Sequence, residues 1–556
     1  MSNFPIIPFQ LFDSYKKKLI KFPHSESEIN IYHCGPTVYF YAHIGNMQSA
    51  LFADLVCKSI KLCGRDVKYV ENITDVGHIV GDGDDGLNIN GGEGVDKIQL
   101  AADREKKNVN DIVDFYTNNY FQGTAALNIE RPIGENNPKA SDFIKEQMEI
   151  TLELLKKNMA YCQSDGVYFK SGNSAKLDLP FEVEKASDKV ENAGELSKIN
   201  YTGREIKNTL KNSGDFAIWK FVSPSAIQKW QFSPEIINQY NLEELVQNML
   251  LENYGCPGWH SECVAMIARL FSPRSANLNL FQNVANNYLK SQKPLLDIHL
   301  GGEDHIPIHH KNEILQSAAM SFNLSKTWVH NQFVLVDGEK MSKSKGNSYL
   351  LLGDYGKTGI KSIQESGHSP LSFRLVCMEQ HYQNQLNFTF EKLAQSENRM
   401  FNLRKEAAKI SSLICKTLEI NIETVSKYTP NKSAQLFDKF TNLLANNLAI
   451  PEFINLYQFE LTETAKNCFS KGKLEDQDIE NIILMIYLDN NFLCLDLFPV
   501  IYEKSEYLEI RKIGENRILA KNDKNYNLSD TLRDKIKSQK WEIDDYKLGF
   551  GVWKRF

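Results

Sequence analysis

The stretch Ile29-Asn-Ile-Tyr-His-Cys34-Gly-Pro-Thr-Val-Tyr39 decides the fold. It begins as a short strand with alternating apolar residues and breaks at Gly35-Pro36. Apolar residues at helical spacing then predict a helix from Met47 to Leu62, and Val67 to Val70 form a second predicted strand. A strand–helix–strand unit of this kind is typical of a parallel nucleotide-binding sheet.

The same pattern returns later in the chain. A strand is predicted at Leu295–Leu300, a helix from Pro307 to Phe322 and another strand at Trp328–Val336. We therefore predict an α/β fold in which two halves of one sheet are separated by an insertion of roughly 120–250. Helical patterns dominate from Phe390 to Leu497 and indicate a helix bundle.

Composition restricts the class of protein. The chain has 556 residues and a formal net charge of −6, which argues against bulk electrostatic attraction to nucleic acid but permits a local basic surface. No window approaches the roughly 18 apolar residues of a membrane span. The first residues also lack the basic and then apolar order of a secretion signal, so we predict a cytoplasmic protein without membrane contact.

Ten cysteines are scattered along the chain, and none are spaced as Cys-x-x-Cys. This excludes the local pattern of a zinc finger or a thioredoxin site. In a reducing cytosol we interpret most of these thiols as small buried hydrophobic groups.

The string His43-Ile-Gly-Asn46 lies between the first predicted strand and the first predicted helix. A helix N-terminus offers unpaired N–H groups and a positive dipole end, both of which suit phosphate. An imidazole there can stabilise charge that develops on a transferring phosphoryl group. Taken alone, the string is a weak signal, because an isolated histidine at a helix start is more often a cap or a packed ring.

A second string, Lys340-Met-Ser-Lys-Ser344, follows a predicted strand and a turn at Asp337-Gly338. Lysines on such a loop can neutralise the pyrophosphate of ATP in a transition state. A solvated basic loop is the alternative for this string by itself. Two such strings on opposite halves of one sheet favour nucleotide chemistry.

These two strings resemble the signatures of class I aminoacyl-tRNA synthetases. Lys340 to Ser344 matches the second signature letter for letter, whereas the first signature ends in a second histidine and this chain has Asn46. Asparagine can still donate a hydrogen bond to phosphate or ribose, so we expect a tuned rather than a lost function. The resemblance implies a class I Rossmann-like parallel-sheet catalytic domain with an insertion, then a C-terminal helical bundle and a small tail domain.

Further motifs resemble the cysteinyl-tRNA synthetase family, in the same order and over nearly the whole chain. They are Cys34-Gly-Pro-Thr37-Val-Tyr39, Asn72-Ile-Thr74-Asp75, Gly258-Trp259-His260-Ser-Glu-Cys263, Asp297-Ile-His299-Leu-Gly-Gly-Glu-Asp304 and His309-His310-Lys-Asn-Glu313.

The resemblance implies one zinc ion per chain, held by Cys34, Cys263, His309 and Glu313. The residues are compatible with this, because His309 and Glu313 are four apart and share one helix face. Residue pattern alone leaves Cys256 and Cys263 open, since both flank the same Gly-Trp-His; the resemblance selects Cys263. Zinc would read the thiol that separates cysteine from serine, a distinction that apolar packing makes poorly.

The resemblance also implies the remaining site residues. The substrate cysteine is expected to contact Thr37, Thr74, Trp259 and Asp304. ATP, with Mg²⁺, is expected to contact His43, Asn46, His299, Gly301, Gly302, Lys340, Met341 and Lys343. Among these, the catalytic residues are expected to be His43, Asn46, Lys340 and Lys343.

The implied function is a monomeric cysteine–tRNA ligase whose partners are tRNA(Cys), ATP and L-cysteine. Its expected regions are the first catalytic half (1–120), the insertion (121–254), the second catalytic half (255–348), a stem-contact region (349–395), the bundle (396–500) and an anticodon-binding tail (501–556). Two alternatives stay open, an ATP-dependent ligase that joins cysteine to an amino sugar and a catalytically silent tRNA-binding paralogue.

The segment Asp82 to Glu93 has end acids at the spacing of an EF-hand loop, but its sixth position is Leu87 rather than glycine. We therefore interpret the acidic, glycine-rich stretch 81–96 as a flexible loop without an assigned function.

Overall fold

The computed structural model describes residues 5–77, 96–179, 181, 212, 214–272, 279–341, 346–417, 420, 422–429, 433–470, 474–499, 505–546 and 549–555. The predictions for Lys343 and for most of the acidic stretch lie outside these residues.

The first part of the chain contains the elements of one sheet half and the helices that follow it. They are β1 (Phe9–Asp13), β2 (Lys18–Phe22), β3 (Glu28–His33), α1 (Ile44–Leu62), β4 (Asp66–Glu71), α2 (Lys97–Glu105), α3 (Val109–Ala126) and α4 (Ile144–Lys156). The inserted part has its own antiparallel strands. Its elements are β5 (Ala160–Gln163), β6 (Gly166–Phe169), β7 (Phe216–Phe221), α5 (Pro234–Ile237), α6 (Glu244–Glu252) and β8 (Gly255–Pro257).

The second sheet half and the segment after it follow the insertion. Their elements are α7 (Trp259–Phe271), α8 (Leu280–Ser291), β9 (Leu296–Gly302), a π-helical turn (Ile306–His310), α9 (Lys311–Ala319), β10 (Ser325–Asn331), β11 (Val334–Val336), β12 (Glu339–Lys340), α10 (Tyr355–Thr358), α11 (Pro370–Met378) and β13 (Leu386–Phe388).

The remainder is mainly helical and ends in a β-hairpin. Its elements are α12 (Phe390–Thr417), α13 (Ile422–Ser426), α14 (Ala434–Ala445), α15 (Ile450–Ser470), α16 (Asp476–Leu488), α17 (Ser505–Asn522), α18 (Tyr526–Ser538), β14 (Trp541–Tyr546) and β15 (Gly549–Lys554).

The central sheet joins the two predicted halves. Its strand order is β10-β9-β3-β4 and every neighbouring pair is parallel. Tyr32 on β3 lies opposite His299 on β9, so segments far apart in sequence end at the same edge. The predicted α/β class with one sheet built from two halves is confirmed, and this edge is where parallel α/β sheets bind ligands.

Two element predictions were wrong in extent. The strand expected at Trp328–Val336 divides, because β11 pairs with β12 and β13 in a separate sheet instead of continuing β10. The helix expected from Pro307 has regular α-geometry only from Lys311, because a π-helical turn comes first. Such turns are frequent at functional sites, and this one carries His309 and His310.

The helix α1 is buried on nearly all sides. Its Leu51, Val56 and Ile60 are completely buried in a cluster that also contains Phe440 and Leu444 of α14. The helical bundle therefore packs on the helix that begins at the first signature motif. Within the described residues, none of the helices is long and apolar enough to cross a membrane.

Candidate active site and metal centre

Cys34 lies at the end of β3, where the chain leaves the central sheet. Its backbone N–H donates to the carbonyl of Leu300 on β9 (3.3 Å), which continues the parallel ladder by one residue. This bond fixes the thiol beside the end of β9. Cys34 is 9% exposed, so the thiol lies at the inner wall of the sheet edge.

Cys263 enters from the first turns of α7, and His309 and Glu313 from the π-helical turn and the start of α9. All three side chains are buried. The other candidate thiol, Cys256, lies in β8, opposite Lys220 of β7 in the insertion's sheet. The structure therefore separates the two cysteines that the residue pattern alone could not.

The four predicted ligands meet in space. Their ligand atoms all lie within 4.8 Å of one another. The sulfur atoms of Cys34 and Cys263 are 3.8 Å apart, and Nε2 of His309 lies 3.3 Å from the first and 3.4 Å from the second. Two Zn–S bonds of about 2.3 Å at the tetrahedral angle would separate their sulfurs by about 3.8 Å. The arrangement has the size of a tetrahedral zinc site.

The Glu313 carboxylate supports the same fit. Its oxygens lie 2.8 Å from Nε2 of His309 and 2.8 Å from Nε2 of His299. A completely buried carboxylate is costly unless cations or donors balance it, so this position suits a group that binds a cation. Two thiols, an imidazole and a carboxylate are a donor set that zinc accepts.

The site favours charged ligand atoms. Burial raises the pKa of Cys263, but the hydrogen bond from Cys34 and the His309 ring outweigh it and lower that pKa to about 6. Burial also raises the pKa of Glu313, and the neighbouring His299 and His309 more than reverse the shift. Thiolate and carboxylate are the forms that bind metal, so the electrostatics agree with the geometry.

Several further histidines surround the cluster, and sequence reasoning missed this role for them. His310 has its Nε2 3.4 Å from the Cys34 sulfur and its Nδ1 2.7 Å from the His330 ring. His299 stacks on Trp328, with ring centroids 4.6 Å apart. Cys34, His299, His310 and Glu313 form a second possible ligand set. The density of histidines between 299 and 310 was the available signal.

The residues expected around the amino acid lie in three places. Thr37 and Thr74 are backbone neighbours, because the N–H of Thr74 donates to the Pro36 carbonyl and the Thr74 carbonyl accepts from Val38. Trp259 stacks on His309 with ring centroids 4.1 Å apart. The side chain of Asp304 is exposed in the short turn after β9.

The expected nucleotide residues His299, Gly301 and Gly302 lie in β9. His299 is completely buried beside Glu313. A Cβ on Gly301 would come within 2.6 Å of the His305 ring and 2.7 Å of the His310 ring. Glycine at this position is therefore needed for histidine packing, and contact of these three residues with ATP stays a prediction.

The two signature strings contact each other. His43 is the N-cap of α1, and the N–H of Ile44 donates to the carbonyl of Tyr349 (2.9 Å), just after the second string. A Cβ on Gly45 would lie 3.0 Å from the terminal methyl of Met341. Lys340 is exposed, with its ammonium 5.4 Å from the centre of the Phe333 ring.

Comparison with known proteins agrees with this geometry. Residues 21–235 and 250–398 match a family model described as the class I (C) tRNA synthetase catalytic domain. A cysteine–tRNA ligase of Treponema denticola is 31% identical, and the match covers 96% of each chain. A cysteine–tRNA ligase of Brachyspira hyodysenteriae is also 31% identical, with 97% of each chain covered.

The chain belongs to the cysteine–tRNA ligase family. Among solved structures, a methionyl-tRNA synthetase of Mycobacterium tuberculosis bound by methionyl-adenylate is similar in fold, with a TM-score of 0.51 and 12% sequence identity. The match covers 84% of this chain and 92% of that one. It supports the class I architecture and nothing finer. Family membership and architecture therefore confirm the class that the two signature strings indicated.

Proposed function

We propose that the chain activates L-cysteine with ATP to form cysteinyl adenylate and then transfers the cysteinyl group to tRNA(Cys). The observation that carries this proposal is the meeting of Cys34, Cys263, His309 and Glu313 at the edge of the central sheet. Similarity to cysteine–tRNA ligases along 96% of the chain supports the same function.

The four clustered side chains would hold one zinc ion. When bound there, zinc would favour the thiolate form of the substrate and so distinguish cysteine from serine. The protein's own contribution is to keep two thiols, an imidazole and a carboxylate in place before substrate arrives. The burial of the four side chains limits their movement, and the stacking of Trp259 on His309 holds the imidazole ring in its orientation.

We assign the rest of the amino-acid site to Thr37, Thr74, Trp259 and Asp304. Trp259 lies next to the metal ligand His309 and would form an apolar wall beside the substrate side chain. The exposed carboxylate of Asp304 is available to pair with the substrate ammonium group. These roles agree with a small zwitterion whose thiol points to the cluster.

For the nucleotide we assign His43, Asn46, Lys340 and Met341, together with three residues of β9, His299, Gly301 and Gly302. Lys343, which lies outside the described residues, is assigned to the same group. ATP would bring Mg²⁺ with it. The ring of His43 at the N-terminus of α1 and the exposed ammonium of Lys340 would stabilise negative charge on the phosphates.

The proposed reaction has two steps. A carboxylate oxygen of cysteine bonds to the α-phosphorus of ATP, and the bond to pyrophosphate breaks. A terminal ribose hydroxyl of tRNA next bonds to the cysteinyl carbonyl carbon, AMP leaves, and the hydroxyl proton is released to solvent or to AMP. Since the attacking carboxylate needs no base, the protein acts chiefly by positioning and charge stabilisation.

We propose that the regions 349–395, 396–500 and 501–556 contact tRNA. Residues 501–556 contain 13 lysines and arginines against 10 aspartates and glutamates, which makes this region slightly basic on an otherwise acidic chain.

Two assays on the full chain test the function. Cysteine-dependent exchange between ATP and pyrophosphate measures the first step, and transfer of labelled cysteine to tRNA measures the second. The proposal predicts both activities, with serine more than about 100-fold less effective, because that is roughly the limit of discrimination by packing alone and metal coordination of the thiolate should exceed it. No exchange would favour a silent paralogue, whereas exchange without transfer to tRNA would favour the amino-sugar ligase.

A further inference from the structure

The helix α1 begins with a reciprocal cap between His43 and Asn46. The backbone N–H groups of Gly45 and Asn46 donate to Nδ1 of His43, at 3.0 and 3.3 Å. In return, the backbone N–H of His43 donates to Oδ1 of Asn46 at 3.0 Å. This is a capping box in which histidine takes the place of serine or threonine and asparagine the place of glutamate or glutamine.

The cap determines where the ring of His43 carries its proton. A ring nitrogen that accepts N–H groups is unprotonated, so the neutral ring has its proton on Nε2. His43 therefore presents an N–H donor at the helix start rather than an acceptor. A donor is what a phosphate oxygen requires.

We infer that Asn46 is a positioning residue that holds His43 as an Nε2–H donor. The family signature has a histidine at this position, but the Asn46 amide oxygen is already used within the protein, on the His43 backbone. Asn46 thus acts through His43. The inference rests on the proposed function only in that His43 is taken to serve ATP.

The surroundings make this geometry sensitive to the cap. A Cβ on Gly45 would lie 2.9 Å from Cε1 of His43, so the ring packs directly over the Gly45 backbone. On one side of His43, the N–H of Ala42 donates to the side chain of Asn119 on α3 at 3.3 Å. On the other side, the N–H of Ile44 donates to the carbonyl of Tyr349. Between these two hydrogen bonds, the Asn46 side chain accepts from the N–H of His43 and so holds its backbone.

Two variants of the full chain separate this role from others. Asn46→Ala removes the acceptor, whereas Asn46→Gln keeps an amide at the position where capping boxes commonly have it. We expect kcat for cysteine-dependent exchange to fall about fivefold in Asn46→Ala, with the KM for ATP changed less than about twofold. Asn46→Gln should retain most of the activity.

Nitrogen-15 spectra of labelled histidine provide a readout that does not depend on activity. The His43 signals, assigned by their loss in His43→Ala, should show one protonated nitrogen, Nε2, in the unchanged chain and in Asn46→Gln. Asn46→Ala keeps the two backbone N–H groups that donate to Nδ1 but removes the acceptor for the His43 N–H. The His43 backbone and ring should then move relative to those donors, and the signals should shift towards a mixture of the two tautomers. Full activity in Asn46→Ala, or an unchanged tautomer there, would overturn the inference. Absence of exchange in the unchanged chain would reject the proposed function, while the spectra would still test the cap.

Discussion

Arg374 on α11 lies with its Nη2 3.2 Å from Oδ2 of Asp54 on α1, and both side chains are buried. The same guanidinium donates to the carbonyls of Leu127, Phe492 and Leu493. One arginine thus joins the helix of the first signature motif to the segment after α3 and to the π-helical turn (Asp489–Leu493) that follows α16.

Removing this arginine should destabilise the folded chain. We expect Arg374→Met to lower the free energy of unfolding by about 3–5 kcal/mol, because it leaves a buried carboxylate and several carbonyls short of donors. Urea denaturation followed by tryptophan fluorescence measures the change. Lys61→Met is the matched control. Lys61 is also on α1, and its exposed ion pair with Glu130 should contribute less than about 1 kcal/mol to the free energy of unfolding. Equal effects of the two substitutions would contradict the prediction.

Cys263 and Cys256 should differ in their effect on bound metal. Cys263→Ser removes one of four clustered ligands and is expected to lower zinc content at least about tenfold, together with affinity for cysteine. Cys256→Ser changes a buried thiol in β8 and should leave about one zinc ion per chain. Metal analysis of the two purified variants measures the zinc content of each. Full zinc content in Cys263→Ser would reject its assignment as a ligand.

Lys340 should act on the first step without affecting the metal. Lys340 lies in β12, paired with β11, and its ammonium is exposed. We expect Lys340→Met to slow cysteine-dependent exchange about 100-fold, the effect of losing one charge-stabilising group. Zinc content should be unchanged. Lys357→Met, which removes an exposed lysine from α10, should leave exchange at the level of the unchanged chain. A loss of zinc in Lys340→Met would point to a structural role instead.

Asp545 should make the tail hairpin sensitive to acid. The hydrogen bonds from Arg517 and Lys521 hold the pKa of Asp545 at about 2, below its usual value of about 3.9. A lowered carboxyl pKa adds stability above the usual value, and this stability is lost as the pH falls from about 4 to about 2. Asp545→Asn should therefore lower Tm by a few degrees at pH 5 and flatten its fall below pH 4. Parallel Tm curves for the two proteins would show that Asp545 does not contribute.

The sequence was informative about the sheet and much less about the rings around the metal site. Alternating and helical patterns located β3, α1, β4 and β9, because burial on one or both faces leaves a periodic trace in apolar residues. The π-helical turn before α9 leaves no such trace, so the helix start was misplaced.

The sequence predicted the candidate metal ligands only in part. His309 and Glu313 could be paired by their spacing, since that relation is local to one helix. Contact of Cys34 with Cys263 depends on how β3 and α7 come together in the fold, which no local pattern contains. The resemblance supplied that pairing, while the positions of His299 and His310 beside the cluster emerged only from the folded chain.

The long sequence separation within the cluster has a consequence during synthesis. Cys34 and Cys263, the first two ligands in chain order, are 229 positions apart. At about 5–20 residues per second, a ribosome needs roughly 11–46 s to add Cys263 after Cys34. During that interval the early thiol lacks every other ligand of the cluster, and a chain that terminates before His309 should be unable to complete this centre. Zinc acquisition would thereby report that β3 and β9, one strand from each half of the sheet, have both been made.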